Sequence, residues 1–95
     1  MTNNNNQVSV TYTAAELRNL VEEYITQQKS EFTLKGVCSY VLYWAVEDEK
    51  VAQGHSLIES NAISNADQQR VKRLLEAVVT DGRIVSVSDG TFQKR

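Results

Sequence analysis

The sequence predicts an α+β domain in which three main helices are followed by a C-terminal two-stranded β-hairpin, with a short strand near the N-terminal end. Two observations carry that expectation. Three stretches place apolar residues at i, i+3, i+4 and i+7, the spacing of one helix face, and each follows a Thr or Ser suited to capping a helix N-terminus. Residues 83 to 95 instead alternate around Asp89-Gly90, and an Asp-Gly pair is the favoured chemistry of a tight hairpin turn.

Residues 7 to 13, QVSVTYT, set Val8, Val10 and Tyr12 against Ser9 and Thr11, the period of a half-buried strand. Thr13 and Glu16 then have capping-box spacing, in which the hydroxyl accepts from a free helix amide while the carboxylate reaches back to the Thr13 amide. The helix they open is expected over about 14 to 28, with Leu17, Leu20, Val21, Tyr24 and Ile25 as its apolar stripe. Thr33 caps a second helix whose stripe is Leu34, Val37, Cys38, Val41, Leu42 and Ala45, with Phe32 placed to act as a hydrophobic staple. Tyr40, Tyr43, Trp44 and Val46 widen its apolar surface, which predicts the most buried helix and the hub of the core, ending near 47 to 50. In the following stretch Gly54 is suited to a helix stop, and Leu57, Ile58 and Ile63 are apolar enough to fold back over the core.

Ser64 and Asp67 signal the start of the third helix, the acid matching the positive end of the helix dipole. Its stripe is Val71, Leu74, Leu75, Val78 and Val79, which leaves Gln69, Lys72, Arg73 and Glu76 facing outward, and Gly82 suits the left-handed turn that ends helices. The hairpin follows, with no proline anywhere in the chain to interrupt an element. Residues 1 to 6, rich in Asn, are expected to be a mobile polar tail, and residues 7 to 95 a single domain.

Composition narrows the functional classes. Hydrophobic residues make up 41% and charged residues 23% of the 95, near globular averages, so the chain is expected to fold. The longest apolar run, residues 40 to 46, is far short of the roughly 20 residues that cross a bilayer, so no membrane partner is expected. A single cysteine, Cys38, cannot form an internal disulfide and no cationic start leads into an apolar stretch, which together predict an intracellular, cytoplasmic location. The net charge of −2 opposes unselective adhesion to nucleic acid. That average conceals an asymmetry: residues 1 to 67 hold four basic and nine acidic side chains, a net of −5, whereas residues 68 to 95 hold six basic and three acidic, a net of +3. Such segregation predicts a polar partner for the C-terminal third.

Catalytic chemistry finds little support. Cys38 lies on the apolar stripe and His55 in a loop, and nothing local supplies the orienting group a nucleophile and base require. His55 and Glu59 have one-turn spacing, but a structural zinc needs four ligands and the chain's only other Cys or His is Cys38, on the apolar stripe. Glu47 to Glu49 lack the interspersed oxygen ligands and glycine of a calcium loop, and the four glycines are scattered rather than gathered into a phosphate cradle. The expectation is a protein that is not an enzyme and takes no cofactor or metal.

Residues 64 to 95, SNADQQRVKRLLEAVVTDGRIVSVSDGTFQKR, together with the order of elements before them, resemble a winged-helix (winged helix-turn-helix) domain: a recognition helix followed by a wing. The resemblance implies that the third helix enters the major groove of duplex DNA and that the hairpin lies along the backbone or in the adjacent minor groove. Carried over by position, Gln68, Gln69, Lys72 and Arg73 become helix contacts, with Arg70 beside them in the basic set, and Arg83, Lys94 and Arg95 become wing contacts. Gln pairs well with adenine, and Arg or Lys with guanine. A transcriptional regulator or DNA-associated accessory factor is the corresponding function. The same residues have plainer readings, a solvated helix face for Arg70, Lys72 and Arg73 and a frayed end for Lys94 and Arg95. Tyr43 and Trp44 point to different sides of the second helix, so one of them is expected to reach the surface and support a homodimer, as the resemblance also implies. The alternative function is a winged-helix protein-interaction module without DNA binding, docking a partner through the aromatic second helix or the acidic N-terminal two-thirds.

Overall fold

A computed structural model describes residues 7 to 52 and 62 to 95. The elements run β1 (Gln7–Val8), α1 (Ala14–Gln27), β2 (Glu31–Thr33), α2 (Leu34–Glu47), β3 (Ala62–Ile63), α3 (Asn65–Thr80), β4 (Ile84–Ser88) and β5 (Thr91–Lys94). The polar tail expected over residues 1 to 6, and the roles expected for Gly54, His55, Leu57, Ile58 and Glu59, lie outside the described residues.

The three helices start where local chemistry places them. Thr13 caps α1 with both halves of the capping box formed, the Thr13 amide donating to Glu16 at 2.8 Å and the Glu16 amide to the Thr13 hydroxyl at 3.2 Å. Thr33 caps α2 by accepting from the Gly36 amide at 2.9 Å, and Ser64 caps α3 by accepting from the Asp67 amide at 3.2 Å. Gly82 follows α3 with φ of 81°, a conformation glycine adopts without steric cost.

The sheet is larger than the two-stranded hairpin expected. β2 pairs antiparallel with β5, giving a three-stranded sheet in the order β2-β5-β4. Phe32, expected as a staple, is therefore a strand residue opposite Phe92, the two rings stacked at 5.9 Å between centroids. The hairpin turn also differs from the mirror-image turn that Asp-Gly favours, because Gly90 takes a positive φ of 77° and Asp89 does not. The register slips between Ser86 and Ser88, so a bulge at Val87 supplies the twist that such a turn would otherwise give. The Gly90 carbonyl accepts from the Leu34 amide at 2.9 Å, which fastens the turn to the start of α2.

The expected N-terminal strand is two short contacts rather than one element. β1 runs parallel to β3, and Val10 bridges antiparallel to Val51. The segment between is held by Thr11 donating to the Lys50 carbonyl at 2.7 Å and Ala52 donating to that of Ser9 at 2.9 Å. Its central fastener is Asp67, 5% exposed, whose Oδ2 accepts from the Val10 amide at 2.9 Å and the Ser64 hydroxyl at 2.8 Å. Arg70 completes the clamp, donating Nη1 to Asp67 Oδ1 and Nη2 to the Tyr12 carbonyl, each at 3.0 Å.

Leu17, Val21, Val37, Val41, Ala45, Ile63, Val71, Leu75 and Ile84 form the fully buried centre, drawn from all three helices, β3 and β4. α2 does touch α1, α3, β2 and β3, as a hub should, but its buried residues are only Val37, Val41 and Ala45. Of the three aromatic residues expected to widen its buried face, Tyr40 is half-buried against the core, while Tyr43 and Trp44 are exposed, at 58% and 36%.

Replacing Asp67 tests how much the clamp holds. Asp67→Ala leaves the Val10 amide and part of the Arg70 guanidinium without an acceptor, a cost of about 2–3 kcal/mol for buried donors. Thermal unfolding is expected to move down by roughly 10–20 °C for a domain of this size, with Asp67→Asn intermediate.

Candidate nucleic-acid interface

α3 presents Asn65, Gln69, Arg73, Glu76 and Thr80 to solvent, with Lys72 half-buried on the flank toward the hairpin. Lys72 lines a groove of about 330 Å3 between α3 and the hairpin, shared with Leu34, Glu76, Val79, Ser86, Asp89 and Phe92. One ammonium thus stands beside two carboxylates. Arg73 lies on the other flank, where it borders a smaller cleft with Ala14, Leu17, Arg70 and Leu74. Among the described residues neither Lys72 nor Arg73 enters an ion pair.

The remaining residues expected at the interface have other occupations. Gln68 donates its side-chain amide to the Ile63 carbonyl at 2.9 Å and is half-buried, closing the turn before α3. Arg70 is spent on Asp67 and the Tyr12 carbonyl. Arg83 grips Glu22 of α1 with both guanidinium nitrogens, at 2.6 and 2.8 Å, and reaches Asp81 at 3.7 Å. These hydrogen bonds hold the Glu22 carboxyl below its ordinary value of 4.5 and raise that of Arg83. The exposed Lys94 ammonium reaches the Thr26 carbonyl at 3.4 Å. Arg95, also exposed, pairs its backbone amide with the Arg83 carbonyl at 3.1 Å. Arg83, Lys94 and Arg95 therefore cluster at the root of the hairpin beside α1, at the opposite end from the Asp89-Gly90 turn.

Two features near this face had no place in the sequence reading. Lys35 and Ser39 of α2 line a cleft of about 300 Å3 with Leu34, Cys38, Ala62 and Gln68, which brings a further cation next to the start of α3. The apolar stripe of α2, from which Lys35 and Ser39 are absent, was the sequence signal for it. An aromatic chain also runs outward from the sheet: Phe92, Phe32, Tyr24, Tyr40, Trp44 and Tyr43, with successive centroids 5.3 to 6.4 Å apart. Gly36 lets Tyr24 into this chain, since a Cβ there would stand 2.7 Å from the Tyr24 hydroxyl.

Among the described residues no group of three or more His, Cys, Asp or Glu is gathered as metal ligands. No described helix is long and apolar enough to cross a membrane. Burial pushes the Cys38 thiol up to about 11. Tyr12 is likewise raised, first by burial and then by its 2.9 Å hydrogen bond to Asp48. Comparison with known proteins found no matching family model, curated relative or solved structure.

Two measurements follow from these shifts. Glu22 is depressed in the folded chain, so its pairing with Arg83 stabilises above about pH 5 and is lost as pH falls through its folded value. The Tm of Glu22→Gln is expected to lie below that of the wild type at pH 7 and to converge with it toward pH 3. At pH 8, raising a thiol from 9.0 to about 11 cuts its thiolate fraction about 100-fold, partly offset by greater intrinsic nucleophilicity. Alkylation of Cys38 is therefore expected to run at least about tenfold slower in the folded than in the denatured chain.

Proposed function

We propose that this chain is a small winged-helix-like protein that binds duplex DNA through the outer face of α3. The reading rests on one observation: Gln69 and Arg73 are exposed on α3 and Lys72 is half-buried on its hairpin flank, and neither cation forms an ion pair with another described residue. The layout is consistent with it, three helices leading into an antiparallel sheet that contains the C-terminal hairpin.

In this mechanism Lys72 and Arg73 neutralise phosphate or reach guanine edges, and Gln69 is spaced to read adenine. Lys35 adds a phosphate contact from α2, and Lys94 and Arg95 a weaker one from the root of the hairpin. Arg70 and Arg83 act as scaffold, positioning α3 against the N-terminal segment and the hairpin against α1. Glu76 and Asp89 repel phosphate on the hairpin side of Lys72, so they restrict the orientations in which a duplex can approach. Affinity at physiological salt is accordingly modest.

The exposed Tyr43 and Trp44 favour a second reading, a protein-docking module without DNA binding, because aromatic side chains are enriched at the centres of interfaces. Fluorescence anisotropy of a labelled mixed-sequence duplex, titrated at several salt concentrations, separates the two. The DNA reading expects a log-log salt slope of about −2 to −3, reduced by about one unit in Lys72→Ala and again in Arg73→Ala. No binding at low salt, or a slope indifferent to both α3 substitutions, favours the protein-docking reading.

A further inference from the structure

α2 carries an outward ridge at four-residue spacing: Lys35, Ser39, Tyr43 and Glu47, all exposed. Along it a cation, a small residue, a large aromatic residue and an anion follow in order. That order is self-complementary when reversed. With a twofold axis at the level of Val41, a second α2 running antiparallel sets Lys35 opposite Glu47 and Ser39 opposite Tyr43, and each pairing recurs on the other side of the axis. Ridges of four-residue spacing are also those that interdigitate when two helices cross at about −50°.

We infer that this ridge is a self-association surface, on which a second copy of the chain docks antiparallel. Four features of the ridge argue for a copy of itself as occupant. Neither Lys35 nor Glu47 forms an ion pair with another described residue, so both charges are available to a partner. A uniformly basic segment would meet Lys35 at one end of the ridge, and a uniformly acidic one would meet Glu47 at the other, followed in the chain by Asp48 and Glu49. Ser39 is small and borders a cleft of about 300 Å3, and the same chain provides a large ring, Tyr43, at the position that would face it. Tyr43 and Trp44 are already set against each other, ring centroids 5.3 Å apart and planes at 88°, so docking freezes little additional motion.

Two helices of 14 residues crossing once make a small contact, in the class of weak and transient interfaces. Dissociation is expected in the micromolar to millimolar range. The surface shares Lys35 with the DNA reading but uses no residue of α3, so association is measured without DNA and the α3 substitutions separate the two.

Sedimentation equilibrium of the full chain without DNA, from about 10 µM to 1 mM, tests the inference. The weight-average mass is expected to rise from 10.7 kDa toward twice that value. Lys35→Glu and Glu47→Lys should each weaken association roughly three- to tenfold by turning two attractive pairs into repulsive ones. Combined in one chain, they restore opposite charges across the axis, and the dissociation constant returns to within about twofold of the wild type. Tyr43→Ala weakens association without restoration by either. All three side chains are exposed, so unchanged circular dichroism and Tm accompany each variant. A monomer at 1 mM overturns the inference, as does a dimer whose constant ignores the single substitutions or fails to recover in the double variant. Lys72→Ala with Arg73→Ala leaves the dimer unchanged, which keeps this result separate from the DNA titration.

Discussion

One carboxylate holds the described parts of this domain in register. Asp67 sits in the first turn of α3, where an acid is favoured by the free amides and the dipole, yet it is nearly inaccessible and spends its acceptors across the fold. Its bond to the Val10 amide spans 57 positions of sequence and fixes the N-terminal segment against α3. From there the segment pairs with β3 on one side and with residues 50 to 52 on the other, and Tyr12 returns to Asp48 at the end of α2. A buried anion is tolerable only with hydrogen bonds and a countercharge, which is why Arg70 turns inward. The basic character of α3 is therefore partly consumed by the requirement that α3 be anchored.

The same logic governs the hairpin. The N-terminal two-thirds is acidic and the C-terminal third basic, and along the sequence that contrast points to an external polyanion. In the fold part of it is internal complementarity, because Arg83 closes on Glu22 and Arg70 on Asp67. Charge asymmetry along a chain equals charge asymmetry on its surface only for side chains that find no partner within it. Among the described residues of that third this leaves Lys72 and Arg73 on α3, with Lys35 of α2 near them, and Arg95 apart at the root of the hairpin, a more divided basic face than the composition of residues 68 to 95 implied.

What was legible in the sequence was local. Thr13, Thr33 and Ser64 act on amides three residues away, so spacing alone placed the helix starts, and the apolar stripes of α1 and α3 identified their buried faces. Gly82 and Gly90 mark positive φ for a reason visible in one residue. Pairings across long separations were not legible. β2 is three residues long and carries one apolar side chain, too little for an alternation, and its strand character comes from β5 some 60 positions later. The Arg83 and Glu22 pair spans 61 positions. Basic residues at a wing were readable as residue types, but which end of the hairpin they occupy depends on that pairing and on α1.

The aromatic surface of α2 follows from the same tertiary constraint. A helix that touches two other helices and two strands can approach them all closely only with compact side chains inward, and Val37, Val41 and Ala45 meet that need. Larger rings on the same helix are displaced to the outer side, where Tyr40 packs against Tyr24 of α1 at the step between core and solvent. Exposure of Tyr43 and Trp44 is thus a consequence of how the core is filled and does not in itself identify a binding site. The arrangement of the neighbouring residues adds what exposure lacks. Core packing places no demand on which outward positions carry Lys35, Ser39 and Glu47, yet their order matches its own reverse in both charge and size, a pattern that a second copy of the chain can use and a solvated face does not require.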